Sequence, residues 1–257
     1  MSVQEVLLQT DFLQRGQQIS KAYEIAEDVK ECLGCGYDEN LDGRIVVSVD
    51  GKKYYVKCPV MTQQCRYGQY MLELMEKSVL DHVRSISGVP SRFHQALESP
   101  RTTSATSGVD MWLESKKNFL LLHGSHGCGK SFGAAYALKM LDRKALMPYW
   151  DKKLLWQHIR VLWTSSYLLT NVDDVFREAQ FSPFLIIDDL GSEESTSRAR
   201  GRISEVISAR YDHCRLTIIT SNDDAVKIGE TYGRRVYTRI TESGMIINCG
   251  ERNLRLE

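Results

Sequence analysis

No run of eighteen apolar residues occurs anywhere in the 257-residue chain, so no membrane-spanning helix is expected. The opening Met1-Ser-Val-Gln-Glu-Val-Leu-Leu8 lacks the cationic start and long apolar core of a signal peptide. A cytoplasmic home is therefore expected, and there the seven cysteines should be reduced thiols or metal ligands rather than disulfides. An excess of one charge is missing too. Lys+Arg and Asp+Glu are 33 each, so bulk charge singles out neither nucleic acid nor a membrane as partner. Lysine nearly disappears after Gly191, where ten arginines accompany Lys227 alone, whereas residues 1–100 are mildly acidic. Internal repeats and long low-complexity tracts are absent. What remains is an ordinary globular composition, 42% hydrophobic and 26% charged. Its length suits one large domain with a small attachment.

The strongest local signal is Gly124-Ser125-His126-Gly127-Cys128-Gly129-Lys130-Ser131, which fits G-x-x-x-x-G-K-[ST] at every fixed position. Phe119-Leu-Leu-Leu122 before it has the character of a buried strand, and Phe132 to Leu141 after it that of a helix. Strand, glycine-rich loop and helix N-terminus together form an anion site, because backbone N–H groups and the helix dipole converge on phosphate oxygens. Lys130 is expected to reach the β- and γ-phosphates, and the Ser131 hydroxyl to help hold Mg²⁺.

Phe184-Leu-Ile-Ile187 runs into Asp188-Asp189 about 55 residues later. A strand buried on both faces needs that apolar run, and its C-terminal end opens where ligands bind in open α/β sheets. Asp188 is expected to hold Mg²⁺, and Asp189 to polarise the attacking water. Leu216-Thr-Ile-Ile-Thr220 is a further strand ending in Ser221-Asn222, whose amide can reach the γ-phosphate or its attacking water. Ile159 to Trp163 is one more strand of the sheet.

The N-terminal third has a different character. Residues 1–31 carry helical apolar spacing. Arg44–Val49, the turn Asp50-Gly51 and Lys52–Val56 form a hairpin signal, and Tyr70 to Ile86 has the pattern of a helix. Cys32 and Cys35 precede the hairpin; Cys58 and Cys65 follow it. Two pairs around a hairpin suit tetrahedral Zn²⁺. Six residues separate the second pair, against the usual two to four, and ordinary reduced thiols are the other reading. Residues 99–108 are expected to be a loop.

The ordered set Gly124–Ser131, Phe184–Glu193, Arg210-Tyr211 and Thr217–Asn222 resembles the AAA+ ATPases of the DnaC/DnaI-type helicase loaders, with the IstB-like transposition helpers nearby. Arg234–Ile240 and Gly250–Arg255 resemble that group's C-terminal motifs, and Ser87–Phe93 its lead-in segment, so the likeness covers about residues 87–257. The resemblance implies an α/β P-loop NTPase fold (AAA+/ASCE), a parallel sheet flanked by helices. Only 35 residues follow Asn222, too few for a helical lid, which this loader group lacks. A small helical, zinc-ribbon-like domain over 1–86 is expected to precede an ATPase domain over 87–257.

By the same resemblance, Gly124 through Phe132 form the nucleotide cradle, and Lys130 binds triphosphate. Ser131 and Asp188 hold Mg²⁺, Asp189 activates water, and Asn222 senses the γ-phosphate. Arg239 is the first choice for an arginine finger reaching a neighbouring subunit's site, with Arg235 second, because a guanidinium offers fixed charge and forked donors. The implied protein is a cytoplasmic, ATP-dependent loader, cellular or phage-encoded, that forms head-to-tail oligomers and places a hexameric replicative helicase on single-stranded DNA. Arg198, Arg200, Arg202, Arg143, Lys144, Lys152, Lys153 and Arg160 are candidate DNA contacts, and Tyr167 and Phe176 are candidate stacking residues. A second carboxylate of Asp rather than Glu, with its shorter reach, implies slow hydrolysis. A transposition helper that recruits a transposase, or a nucleotide-binding adaptor with little turnover, are the alternatives.

Overall fold

In Phe119–His123 (β3), successive side chains are buried on opposite faces. Phe119 and Leu121 join one apolar cluster and Leu120 and Leu122 another, all without exposed surface. A strand apolar on every residue has no solvated face, so helices must cover both sides. The computed structural model describes residues 18–26, 44–58, 62–194 and 196–254. They fall into two compact units, Met1–Met75 with Trp150–Lys153, and Glu76–Tyr149 with Leu154–Glu257.

In the smaller unit, residues 18–26 are helical (α1). Arg44–Val49 (β1) and Lys52–Lys57 (β2) pair antiparallel around the turn at Asp50 and Gly51, both at positive φ. Ile45, Val47 and Val49 share one strand face and pack with Val56 and with Ala22 and Ala26 of α1. The hairpin expected from the sequence is therefore present. The helix Arg66–Ser85 (α2) begins in this unit and starts four residues earlier than expected.

The larger unit is built on a five-stranded parallel sheet in the order β4-β5-β6-β3-β7. Its strands are β3, Val161–Ser165 (β4), Phe184–Leu190 (β5), Leu216–Ser221 (β6) and Gly244–Asn248 (β7). One face carries Ser104–Glu114 (α3), Lys130–Leu146 (α4) and the end of α2. The other carries Ser166–Asn171 (α5), Asp173–Phe181 (α6), Ser197–Asp212 (α7), Ala225–Tyr232 (α8) and Arg234–Ser243 (α9). The strand that follows the carboxylate strand in the chain, β6, is inserted between it and the phosphate-loop strand. Strand order, phosphate loop and flanking helices make this the P-loop NTPase fold expected from the sequence. No helical lid follows β7 among the described residues.

Two segments differ from expectation. Residues 99–108 are a loop only through Thr103, because Thr103 and Thr106 form a capping box that starts α3 at Ser104. The serines and threonines that signal a loop also cap helices. β7, absent from the sequence reading, pairs with β3 along its full length.

One internal brace bears on the site. Arg210 of α7 has no exposed surface. Its Nε donates to Thr217 Oγ1 at 2.7 Å, Nη1 to the carbonyls of Ala179 and Ser182 at 2.8 and 2.9 Å, and Nη2 to the Leu216 carbonyl at 2.6 Å. Arg215 Nη1 adds a bond to the Gln180 carbonyl at 2.7 Å. Two arginines thus satisfy carbonyls left open at the C-terminal end of α6. Burial, and then Arg215, lowers the proton affinity of the Arg210 guanidinium.

Candidate functional site

The C-terminal ends of β3, β5 and β6 open into a cleft of about 1040 Å³. Its floor is the phosphate loop, residues 124–131, whose Gly124, Gly127 and Gly129 all have positive φ. Gly129 sits immediately before α4, so the helix points its N-terminal N–H groups at the cleft. The rim adds Arg92 and Phe93 from the lead-in segment, Arg101 to Ser104, and Arg252 and Leu254 from the C-terminal segment. Phe93 meets Phe132 edge to face at 5.6 Å between centroids.

Lys130, only 8% exposed, is anchored by oxygen. Its Nζ donates to the Gly124 and Ser125 carbonyls at 2.8 and 2.7 Å and to Asn222 Oδ1 at 2.9 Å. Two residues 92 apart in the chain, both singled out in the sequence, are thus in direct contact. Ser131 Oγ donates to Asp188 Oδ1 at 2.7 Å. A hydroxyl and a carboxylate converging at that distance are suitable oxygen ligands for Mg²⁺.

Thr220 was not singled out. Its Oγ1 donates to Asp188 Oδ1 at 2.6 Å and accepts the Asp189 N–H at 2.8 Å. One hydroxyl therefore orients both carboxylate-bearing residues. The adjoining backbone is irregular: pairing of β5 with β6 shifts register between Ile187 and Leu190, and Asp189 takes φ +62. A non-glycine residue in that region is strained. Here the strain is held by Thr220 and by Ser166, whose Oγ donates to the Asp189 carbonyl at 2.9 Å. The bulge leaves Asp189 exposed while Asp188 is half-buried.

Beyond the bulge, the buried Glu193 accepts the Gly191 N–H at 3.1 Å and the Tyr232 hydroxyl. Burial, then Glu193, raises the Tyr232 phenol above its ordinary range. Burial and the neighbouring Cys128 push the Cys249 thiol up to about 12, so Cys249 is not a thiolate nucleophile. Burial also holds His123, at the tip of β3, below its ordinary value despite Asp224; Lys130 acts in the same direction.

The C-terminal segment contributes more than the strands suggested. The Gly250 carbonyl accepts the Ser125 N–H at 3.1 Å, and the Leu254 N–H donates to the Gly127 carbonyl at 2.9 Å. The sequence signal for this was the resemblance of Gly250–Arg255 to a family motif. At Gly127, φ is +80, and an added Cβ would stand 2.1 Å from Asn253 Oδ1. Gly127→Ala is therefore expected to weaken nucleotide binding about tenfold or more, from about 1–3 kcal/mol of backbone strain. Titration with a fluorescent ATP analogue checks this, and an unchanged Kd would remove the loop from the binding site.

The two finger candidates differ in placement. Arg239 is turned inward at 9% exposure; it bonds Ser208 Oγ, pairs with Asp212 at 3.5 Å and lies 5.3 Å over the Tyr211 ring. Its guanidinium is engaged within its own subunit, whereas Arg235 is exposed at the start of α9. Among the DNA candidates, Arg202 pairs with Asp173 and stacks over Phe176, Arg198 shares Asp173, and Arg143 pairs with Glu76. Lys144 Nζ donates to the Leu113 carbonyl at 3.2 Å. Tyr167 is exposed, and Phe176 packs partly buried against the core.

Of the four zinc candidates, Cys32 and Cys35 lie outside the described residues. Cys58 and Cys65 are half-buried, and Cys65 Sγ accepts the Gly68 N–H at 3.3 Å. No helix among the described residues is long and apolar enough to cross a membrane.

No family model matches the chain. It is 26% identical over 239 residues to the replicative helicase loader DnaI of Bacillus subtilis (strain 168), which covers 84% of this chain and 73% of the relative. The crystal structure of the DnaC helicase loader is similar at 24% identity and TM-score 0.47, over 62% of this chain and 99% of that one. A crystal structure of DnaI matches at 19% and 0.43, over 67% and 92%. AMPPCP-bound DnaA from Aquifex aeolicus matches at 17% and 0.44, over 62% and 50%. The likeness to the DnaC/DnaI-type loaders that the motifs carried is thus found again in the whole-chain comparison.

Proposed function

We propose that this chain is an ATP-switched AAA+ protein that loads a hexameric replicative DNA helicase onto single-stranded DNA. A single conjunction carries the proposal: the Lys130–Asn222 and Ser131–Asp188–Thr220 contacts assemble a phosphate-and-cation site in a chain similar over most of its length to a helicase loader. In this reading residues 1–86 grip the helicase and residues 87–257 form the ATPase.

The loop N–H groups and Lys130 hold the triphosphate. Mg²⁺, held by Ser131 and Asp188, would supply neutralisation of charge developing on the phosphate oxygens. Asp189, exposed at the end of β5, takes the proton from the attacking water. Asn222, in contact with Lys130, reports γ-phosphate occupancy to β6. Turnover is slow, as suits a switch, and it rises when a neighbouring subunit completes the site. Cys32, Cys35, Cys58 and Cys65 hold Zn²⁺ in the N-terminal part; substituting Cys58 should lower the bound zinc of the purified protein.

Arg235 is the better finger, because Arg239 already has intramolecular partners. Arg235→Ala should lower hydrolysis by about a thousandfold or more, in line with arginine fingers elsewhere, while leaving nucleotide affinity unchanged. Arg239→Ala should instead lower the melting temperature. If Arg239→Ala kept full stability and lost hydrolysis, the assignment would reverse.

Native mass spectrometry with the replicative helicase, with and without ATP and Mg²⁺, tests the function itself. A defined complex of several copies per hexamer supports the loader. Failure to associate while nucleotide still binds overturns it and directs attention to a transposase partner.

A further inference from the structure

Asp142, on α4, is a carboxylate with no exposed surface and no arginine or lysine paired with it among the described residues. The cations nearest in sequence on the same helix are committed elsewhere: Lys144 donates to the Leu113 carbonyl at 3.2 Å. Lys139 and Arg143 both pair with Glu76, at 2.5 and 3.5 Å, and Lys139 also donates to the Leu97 carbonyl. A buried carboxylate in this position needs a countercharge. Apart from the Ile159 N–H, which donates to Oδ1 at 2.8 Å, what faces it is a pair of imidazoles. His158 Nδ1 lies 2.6 Å from Oδ2, and His82 Nε2 lies 4.0 Å from Oδ1. The two rings stack at 4.5 Å between centroids and 22° between planes.

We propose that His82, Asp142 and His158 form a binding site for a divalent transition cation of the Zn²⁺ class. None of the three lines the nucleotide cleft, so the site is separate from the one for Mg²⁺. The two imidazoles are borderline ligands, and with a carboxylate beside them the set favours Zn²⁺ or Co²⁺ over Mg²⁺. One atom from each residue lies within 4.8 Å of the others. A tetrahedral ion with bonds near 2.1 Å would separate its donors by about 3.3 Å. His158 faces Oδ2 at 2.6 Å and His82 faces Oδ1 at 4.0 Å, so to share one ion the first pair must open, the second close, and the stacked rings turn their in-plane nitrogens toward a common point.

Ser78 supports the required tautomer. Its Oγ lies 3.0 Å from His158 Nε2 and can accept that nitrogen's proton, which leaves the Nδ1 lone pair aimed at the carboxylate. On binding, His82 changes tautomer, its proton passing through solvent from Nε2 to Nδ1, and the bond to the Ile159 carbonyl at 3.0 Å is lost. Both imidazoles are partly exposed, so water can enter as a fourth ligand. The ion would tie α2, α4 and the segment entering β4 at one point.

The full chain, stripped with a chelator, is titrated with Co²⁺ alone and followed by absorption and metal content. Nitrogen–oxygen coordination gives visible d–d bands without near-ultraviolet thiolate charge transfer, which separates this site from any cysteine site. His158→Ala and His82→Ala should each lose one bound equivalent and leave any thiolate band unchanged, and Zn²⁺ should displace the Co²⁺ from the natural chain. Should either alanine variant fail to fold, as judged by circular dichroism, His158→Gln at the half-exposed ring replaces it. Unchanged stoichiometry in the folded His158 and His82 variants overturns the proposal and leaves a proton as the countercharge of Asp142.

Discussion

Lys130→Ala lowers the rate of ATP hydrolysis by about 10²–10³-fold or more, the range for removing one preorganised charge-stabilising donor. The structure explains why the loss should fall on function rather than on the fold. The ammonium's oxygen partners are the carbonyls of Gly124 and Ser125 and the side chain of Asn222; Lys130 and Asn222 line the cleft, so water can replace the ammonium there. Melting temperature should therefore stay close to the parent while phosphate release in a coupled assay disappears. Asp188→Asn should give a similar loss through the cation ligand, with Thr220 still in place to hold the amide. A Lys130→Ala protein that hydrolysed ATP at the parental rate would remove the cleft from the chemistry.

Arg210→Met carries the largest expected effect on stability, about 3–5 kcal/mol, the range for breaking a buried charged network. Four oxygens lose their donors at once, in a place water does not reach. Each buried group left unsatisfied costs about 1–3 kcal/mol before relaxation. For a protein of this size about 2–4 °C accompanies each kcal/mol, so a melting temperature lower by roughly 10 °C is expected. Lysine at this position should restore less than half of the loss, because its donors radiate from one nitrogen and cannot span both the end of α6 and the start of β6. Thermal unfolding, with urea unfolding at constant m-value beside it, checks both variants; a melting-temperature shift under about 2 °C for the methionine variant would show that the network contributes little.

Much of the nucleotide site was legible in the sequence because its chemistry demands residue types at fixed spacing. Gly124, Gly129, Lys130 and Ser131 must sit in one turn for backbone N–H groups and a hydroxyl to meet phosphate and cation, and Asp188 must end an apolar strand to reach the same crevice. Thr220 follows no such rule. A threonine near the end of an apolar strand has the β-propensity expected there, and its bonds to Asp188 and Asp189 depend on β6 lying next to β5. Glu193 and Tyr232 are 39 residues apart and meet only through the fold. Arg210 was visible as part of a motif, but its partners are mainly carbonyls, which carry no side-chain signature. The finger is a different case. The family resemblance offered two arginines one turn apart on α9, and packing distinguishes the inward Arg239 from the exposed Arg235. The loop expected over 99–108 failed for a local reason, since Thr103 and Thr106 serve a helix start as readily as a turn.

The C-terminal segment over the phosphate loop has a genetic consequence. A nonsense mutation just after codon 249 would leave every strand of the sheet translated, and every residue from Gly124 to Asn222 unaltered. It would nevertheless remove the Gly250 carbonyl that holds Ser125 and the Leu254 amide that holds Gly127. Such an allele should behave as a lesion of the nucleotide site, and missense suppressors of it would map to the loop rather than to the chain's end.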